Sequence, residues 1–147
     1  MKNILHMTGI ILFVMINSIS CSNGGDENDG IVGTWRTTYK DAGGYIISIS
    51  YMFKDDGQYY SSASYRGEGL PFMQLESKGH YTFSGTTLQT REEEYNIFDE
   101  EAGGSIGKYN GFTVNSTFPA KISGSLLSLS DFKLSALYIG EIKFKKE

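Results

Sequence analysis

The sequence predicts an all-β protein, an antiparallel up-and-down β-barrel of about eight strands that follows a signal peptide and a flexible acidic tether. Three observations predict this fold. Beyond residue 30, polar and apolar residues alternate repeatedly with a period of two, glycine-rich turns separate the alternating segments, and helical periodicity is almost absent. A meander of this length avoids exposed edges best by closing on itself, so a barrel is favoured over a two-sheet sandwich.

The first twenty residues have the organisation of a signal peptide. Lys2 supplies a positive charge, and the ten residues from Met7 to Ile16 are almost wholly apolar. Ten residues suit the apolar region of a signal peptide but are too few to cross about 30 Å of hydrocarbon as a helix. The segment Ser18-Ile19-Ser20-Cys21 then resembles the lipobox of bacterial lipoproteins, although Ser18 stands where that motif usually has leucine. The resemblance implies lipid attachment at Cys21; an ordinary secretory signal with a chance cysteine is the alternative.

A polar, acidic segment follows Cys21, the only cysteine of the chain. A single cysteine excludes an intramolecular disulfide and a zinc site built on thiolates. Residues 22–30 contain no apolar side chain and are therefore expected to act as a flexible tether. The acidic residues Asp26, Glu27 and Asp29 resemble the stretch that follows the lipidated cysteine in surface-exported lipoproteins of Bacteroidetes, whereas a merely solubilising linker is the alternative.

The predicted division is therefore a signal peptide at 1–20, a lipidated tether at 21–30 and a barrel domain at 31–147. The expected location is the cell envelope, as an outer-membrane lipoprotein, with display on the surface left open. The membrane, reached through the lipid on Cys21, is the one partner that the sequence indicates.

The clearest alternation begins at Tyr45 and continues to Lys54, with large apolar side chains on one face. Asp55-Asp56-Gly57 then predicts a turn, because glycine accepts a positive φ and aspartate tolerates it. A second strand runs up to Arg66, and a loop is expected from there to Pro71. The remaining predicted segments, in order, are a strand at 78–83, a hairpin partner from 87 to about 95, an acidic loop at 99–104, a strand at 112–118 that Pro119 ends, a strand at 126–129 after a turn at Ser123-Gly124, and a last strand at 136–145.

Four short motifs resemble the small lipocalin-like lipoproteins of Bacteroidetes. They are Ile31-Val-Gly-Thr-Trp35, the aromatic strand and turn from Phe53 to Tyr59, Gly79-His-Tyr81, and Gly85-Thr-Thr-Leu88. The resemblance covers roughly residues 31–144. It implies that the Trp35 indole closes one end of the barrel and that a basic side chain of the last strand, Lys143 or Lys145, stacks on it.

The sequence offers little chemistry beyond the anchor. A formal net charge of −4 argues against a nucleic-acid partner. His80 is the only histidine after the signal segment, and no metal ligand set or cofactor motif is recognisable. The acidic runs at 92–94 and 99–101 could supply a calcium site or a carboxylate pair, but a solvated strand end and loop is favoured. The chain is therefore expected to be non-enzymatic and to need no cofactor.

Aromatic side chains on the expected inner faces are the remaining candidates for a site. A barrel of about eight strands either fills with its own side chains or holds one small ligand. The leading hypothesis is binding of a small apolar or amphipathic molecule, and the alternative is a filled barrel that presents a surface to another envelope protein. A void above about 300 Å³ that opens opposite Trp35 would favour the first. The candidate pocket-lining residues are Tyr51, Phe53, Tyr59, Tyr81, Phe83, Phe112 and Tyr138.

Overall fold

The computed structural model describes residues 30–134 and 137–147, without the side chains of residues 70, 106–112, 137 and 138. The described residues form eight strands and no helix, so no helix among them is long and apolar enough to cross a membrane. The strands are β1 (Gly33–Lys40), β2 (Ile46–Phe53), β3 (Gln58–Gly67), β4 (Leu70–Phe83), β5 (Thr87–Asp99), β6 (Gly104–Ser123), β7 (Leu126–Leu134) and β8 (Leu137–Lys146). The signal peptide, Cys21 and nearly all of the tether lie outside the described residues.

The eight strands close into a barrel in sequence order, and each strand is antiparallel to both of its neighbours. The β1–β8 pairing completes the ring. The predicted all-β, up-and-down barrel is confirmed. The alternation that predicted β2 also sets its faces, because Ile47, Ile49, Tyr51 and Phe53 are buried inside the barrel while Ile46 and Met52 are exposed outside.

Strands β4 to β7 are each longer than predicted, and two of the wrong boundaries involve a proline. The loop expected up to Pro71 is a tight turn, so β4 begins at Leu70, and Pro71 lies in the stretch where the β3–β4 register shifts. Pro119 does not end β6, which continues to Ser123. The Ala120 N–H donates to the Thr86 carbonyl beside β5. Because successive backbone N–H groups of a strand point to opposite sides, the Pro119 nitrogen points towards β7, and the described pairs between β6 and β7 begin at Ala120. The missing N–H therefore removes no ladder hydrogen bond.

The wall of the barrel is continuous around β1 to β6 but only partly closed around the β7–β8 hairpin. Among the described residues, strand β8 pairs with β1 at two positions, Trp35 with Lys146 and Arg36 with Lys145. Strand β7 pairs with β6 only where residues 120–123 meet residues 126–129. The hairpin is therefore joined to the barrel at the end where Trp35 lies, and the described parts of β6 before residue 120 and of β7 after residue 129 are separated.

Trp35 lies at the closed end, fully buried. Its indole Nε1 donates a 2.6 Å hydrogen bond to the Ile31 carbonyl, which satisfies its only polar atom. The cation above the ring is Lys146, whose Nζ is 5.2 Å from the ring centroid, and neither Lys143 nor Lys145. Those two residues lie on the outer face of β8, because the strand alternation places Lys146 on the same face as the buried Phe144.

Aromatic rings fill the barrel above Trp35. Tyr51 is at their centre, stacked on Phe53 at a centroid distance of 5.6 Å and in edge contact with Phe144 at 5.6 Å and Phe132 at 6.3 Å. Such pairs contribute about 0.5–1.5 kcal/mol each beyond the burial of their area. This half of the barrel is therefore a solid core, and any internal space has to lie on the far side of Tyr51.

Candidate functional site

A cavity of about 660 Å³ lies beyond the aromatic core, on the side of the barrel away from Trp35. Tyr51 and Tyr59 separate it from the core, since both line the cavity and both contact the buried rings. The rest of its inner wall is mixed. Its apolar members include Ile49, Ala63, Leu75, Phe118 and Leu134, and its polar members include Ser61, Ser77, Thr90, Glu92 and Ser116.

The cavity reaches the surface where β6 and β7 are unpaired. Its lining includes the exposed residues Val114 and Asn115 of β6 together with Asp131 and Lys133 of β7. Val114 is directly paired with Glu92 and yet is 45% exposed, as expected for a residue at the edge of an opening. Among the described residues, the cavity is therefore open at the side of the barrel rather than through the core.

Glu92 brings a carboxylate to the inner wall of this cavity. It continues the inward face that Leu88 and Thr90, both buried, define on β5. The register shifts on both sides of this point, between Lys78 and Gly79 on β4 and between Glu92 and Glu94 on the β6 side. Because of these irregularities, Glu93 and Glu94 do not continue the regular alternation of inward and outward side chains.

The neighbouring glutamates face outward and are paired with basic side chains. The Lys78 Nζ is 2.9 Å from the Glu94 Oε1, and the His80 Nδ1 is 3.1 Å from the Glu93 Oε1. His80 is exposed on the outer wall, where its Nδ1 contacts Glu93. Among the described residues, no group of three histidines, cysteines, aspartates or glutamates could hold a metal ion.

Hydroxyl groups surround Glu92 inside the cavity. Burial raises the pKa of the Glu92 carboxyl, and a hydrogen bond with Ser77 opposes that rise. Burial also raises the pKa of Tyr59 to about 12, and the negative charge of Glu92 raises it further. Hydrogen bonds with Ser77 and Thr90 act in the opposite direction. Ser61 and Ser77 are linked by a 2.7 Å hydrogen bond. Inside the cavity the Glu92 carboxylate is thus surrounded by neutral hydroxyls, while the other two carboxylates of the lining, Glu76 and Asp131, belong to exposed residues.

The aromatic candidates separate into two groups. Tyr51 and Tyr59 line the cavity, whereas Phe53, Tyr81 and Phe83 are buried in the packed half of the barrel and do not. The Tyr81 hydroxyl donates a 2.6 Å hydrogen bond to the Lys54 carbonyl, so its polar end is held at the β2–β3 turn. The side chains of Phe112 and Tyr138 lie outside the described part of the structure, as does Cys21.

Sequence reasoning missed Glu92, which it assigned to a solvated strand end together with Glu93 and Glu94. One signal could have found it: a period of two that starts at Leu88 places Thr90 and Glu92 on the same inner face. The bulge after Glu92 hides this signal, because it sends the next two glutamates outward and makes the run resemble an exposed acidic stretch.

A second, wider depression of about 950 Å³ lies mainly on the outer wall. It is lined mostly by outward-facing residues of β1 to β5, among them Met52 and Tyr60, which are 46% and 41% exposed. The Lys78–Glu94 ion pair lies beside them. This surface is open rather than enclosed, so it fits a protein contact better than a small molecule.

Comparison with protein-family models, with curated proteins and with solved structures finds no match to this chain. The function of the chain is therefore inferred from the cavity itself: from its volume, its polar groups and its opening between β6 and β7.

Proposed function

We propose that this protein is a lipid-anchored, lipocalin-like binding protein that holds one small amphipathic molecule inside its barrel. The observation that carries the proposal is the cavity of about 660 Å³ beyond Tyr51. That volume lies within the range of about 300–1,000 Å³ that is usual for small-molecule sites. A barrel that served only to present its outer surface would gain stability by filling this space with side chains, as it does around Trp35.

The shape and lining of the cavity support an amphipathic ligand. The lining includes the apolar side chains of Ile49, Leu75 and Phe118 and, among them, the hydroxyls of Ser77 and Thr90. Burying an apolar body yields about 25 cal/mol per Å² of apolar surface, while a polar group without a partner in the same place costs free energy. A molecule with both an apolar part and a polar part therefore finds partners for both kinds of side chain. The proposal requires neither a catalytic group nor a cofactor.

The anchor is the second part of the proposal. A lipid on Cys21 would hold the barrel at the outer membrane through a tether of nine residues, 22–30. A flexible chain of that length spans on the order of 15 Å, so the barrel would stay close to the lipid headgroups. The acidic character of the tether favours surface display, as in the lipoproteins that it resembles.

Native mass spectrometry of the protein purified from its own host tests the ligand. The expected result is a mass adduct of one small molecule, lost when the protein is denatured. The variant Ala63→Phe places a ring in the cavity, because Ala63 is buried and lines it, and should lose the adduct. Ser64→Phe, one residue away on the outer face, is the matched control and should keep it. A wild-type protein without an adduct, or an adduct unaffected by Ala63→Phe, would contradict the proposal.

Cell fractionation tests the anchor. The substitution Cys21→Ser should release the protein from membranes and abolish metabolic labelling with a radioactive fatty acid. A variant that stays in the membrane fraction would show that something other than the lipid holds it there.

A second candidate function is a non-catalytic interaction with another envelope protein. The outer depression with the exposed side chains of Met52 and Tyr60 favours it. Chemical cross-linking in the host membrane would then capture a partner with the wild-type protein and lose it with Tyr60→Glu. Ala63→Phe would leave such cross-links unchanged, which separates the two functions.

A further inference from the structure

The Glu92 carboxylate lies in an unusually open part of the inner wall. On one side it is paired with Gly79, which has no side chain and can have none, because a Cβ there would overlap the Arg91 carbonyl oxygen. On the other side it is paired with Val114, at the edge of the opening between β6 and β7. The carboxylate therefore has free space next to it inside the cavity, on the side from which a ligand enters.

Glu92 also differs from its neighbours in its charge balance. Glu93 and Glu94 are matched by His80 and Lys78 on the outer wall, whereas Glu92 makes no ion pair with any described side chain. Its partner is the neutral Ser77 hydroxyl. Removing a carboxylate from water without a cation costs free energy, and this cost is the physical reason that the pKa of Glu92 is raised.

Lys133 is the only basic residue among the described residues that line the cavity, and it does not offset this charge. It is exposed on β7 at the opening. No described side chain therefore supplies a cation to Glu92, and a cationic ligand would neutralise it. An anionic ligand would meet the opposite situation, because its charge would be placed next to a carboxylate of the same sign.

We infer that the ligand is an amphipathic amine whose protonated nitrogen is held by Glu92 and whose apolar body packs against Leu75 and Phe118. This inference rests on the proposed binding function and names the chemical class of the ligand. An ammonium group has three N–H donors, and the Glu92 carboxylate with the hydroxyl oxygens of Ser77 and Thr90 offers three acceptors on one side of the cavity. Leu75 and Phe118 lie on β4 and β6, the two strands that flank β5.

Three probes with the same eight-carbon chain test the inference: octylamine, octanol and octanoate. Their binding is measured by titration calorimetry on the full-length lipidated protein in nanodiscs of a zwitterionic lipid, with empty nanodiscs to subtract partitioning into the membrane. We expect octylamine to bind about tenfold tighter than the other two. A tenfold difference in affinity corresponds to the free energy that one charge-assisted hydrogen bond contributes. Glu92→Gln should lower the affinity for octylamine to that for octanol and leave octanol unchanged.

Glu94→Gln is the matched control, since it removes the same charge from the outer wall, and it should change none of the three affinities. If octanol or octanoate binds the wild-type protein as tightly as octylamine, or if Glu92→Gln behaves as Glu94→Gln does, the inference is overturned while the proposed binding function stands. If none of the probes binds, the proposed function fails with it.

The pH dependence of octylamine binding gives a second readout. The amine stays charged below about pH 9, so a loss of affinity between about pH 8 and pH 4 reports a protein carboxylate. The titratable groups that line the cavity besides Glu92 are Tyr51 on β2, Tyr59 on β3, Glu76 on β4, Tyr95 on β5, and Asp131 and Lys133 on β7, while Ser77 and Ser116 do not titrate in this range. Asp131→Asn and Glu76→Gln should keep the pH dependence and Glu92→Gln should abolish it; the reverse result would overturn the assignment to Glu92.

Discussion

Lys146 lies over Trp35, with its Nζ 5.2 Å from the ring centroid, and the two residues are also direct partners in the pairing of β8 with β1. That pairing contains only one other residue pair, Arg36 with Lys145. The contact between the ammonium and the indole therefore lies at the seam that closes the ring. The lysine stem also covers Gly33, where an added Cβ would come within 2.8 Å of the Lys146 Cε.

Replacing Lys146 by methionine should lower the free energy of unfolding by about 0.5–1 kcal/mol. Methionine keeps much of the apolar stem but removes the charge above the ring. Denaturation followed by fluorescence measures this directly, because Trp35 is the only tryptophan of the chain. Lys145→Met, on the outer face of the same strand, is the control and should change stability much less. Equal losses in the two variants would show that the position of the charge above the indole does not matter.

Gly79→Ala should destabilise the barrel by about 2 kcal/mol or more. A Cβ at this position would overlap the backbone of β5 at Arg91, and backbone cannot move aside as a flexible side chain can. The bulge between Lys78 and Gly79 would have to rearrange, and with it the direction of Glu92. Thermal unfolding measures the loss. Gly43→Ala, in the β1–β2 turn with no close contact and an ordinary φ, is the matched control and should stay within about 0.5 kcal/mol of the wild type.

The sequence predicts the architecture of this protein well because its physical cause is local. Alternation from Tyr45 to Lys54 and the Asp55-Asp56-Gly57 turn depend on neighbouring residues alone, and both are present as β2 and the turn to β3. The choice between Lys145 and Lys146 above Trp35 depends on which face of β8 turns inward. The alternation of β8 places Lys146 on the face of the buried Phe144, and only its position opposite Trp35 depends on the register with β1.

The candidate site could be predicted only in part, since a bulge and a gap create it. Tyr51 and Tyr59 follow from alternation, but their place at the floor of a cavity depends on the rings of Phe132 and Phe144 from the other side of the barrel. The opening exists because β6 and β7 stop pairing before Ala120. A bulge and a lost pairing are long-range features, and no periodicity in a single segment reveals them.

Hydrogen exchange should detect the opening between β6 and β7. The Ala120 N–H points to β5, so the alternation directs the amides of Ser116 and Phe118 to β5 and those of Asn115 and Thr117 to the gap. We expect Asn115 and Thr117 to exchange at least about 100-fold faster than Ser116 and Phe118. Exchange of all four amides at a similar, slow rate would mean that β7 covers this part of β6 in solution, and that the cavity has no entrance there.

Glu92→Gln should stabilise the ligand-free protein at about pH 8, and the gain should disappear towards about pH 4. Burial raises the pKa of Glu92 in the folded protein, so the folded state keeps its proton to a higher pH than the unfolded chain does. The ionised carboxylate therefore does not destabilise the folded state below about pH 4.3, the pKa of glutamate in the unfolded chain. It destabilises the folded state fully above the pKa that Glu92 has in the folded protein. The gain should stay below about 1 kcal/mol, because the group retains part of its hydration at the cavity wall.

Urea denaturation of the wild type and the variant at several pH values measures this difference, after bound small molecules have been removed. Glu94→Gln is the control and should not stabilise the protein at about pH 8, because it breaks the exposed ion pair with Lys78. A gain for Glu92→Gln that is the same at every pH would show that the carboxylate is not desolvated in the folded state. With an amine bound in the cavity, Glu92→Gln should instead destabilise the protein at about pH 8. The Glu92 charge destabilises the empty barrel but binds the ligand, and bound ligand stabilises the folded state.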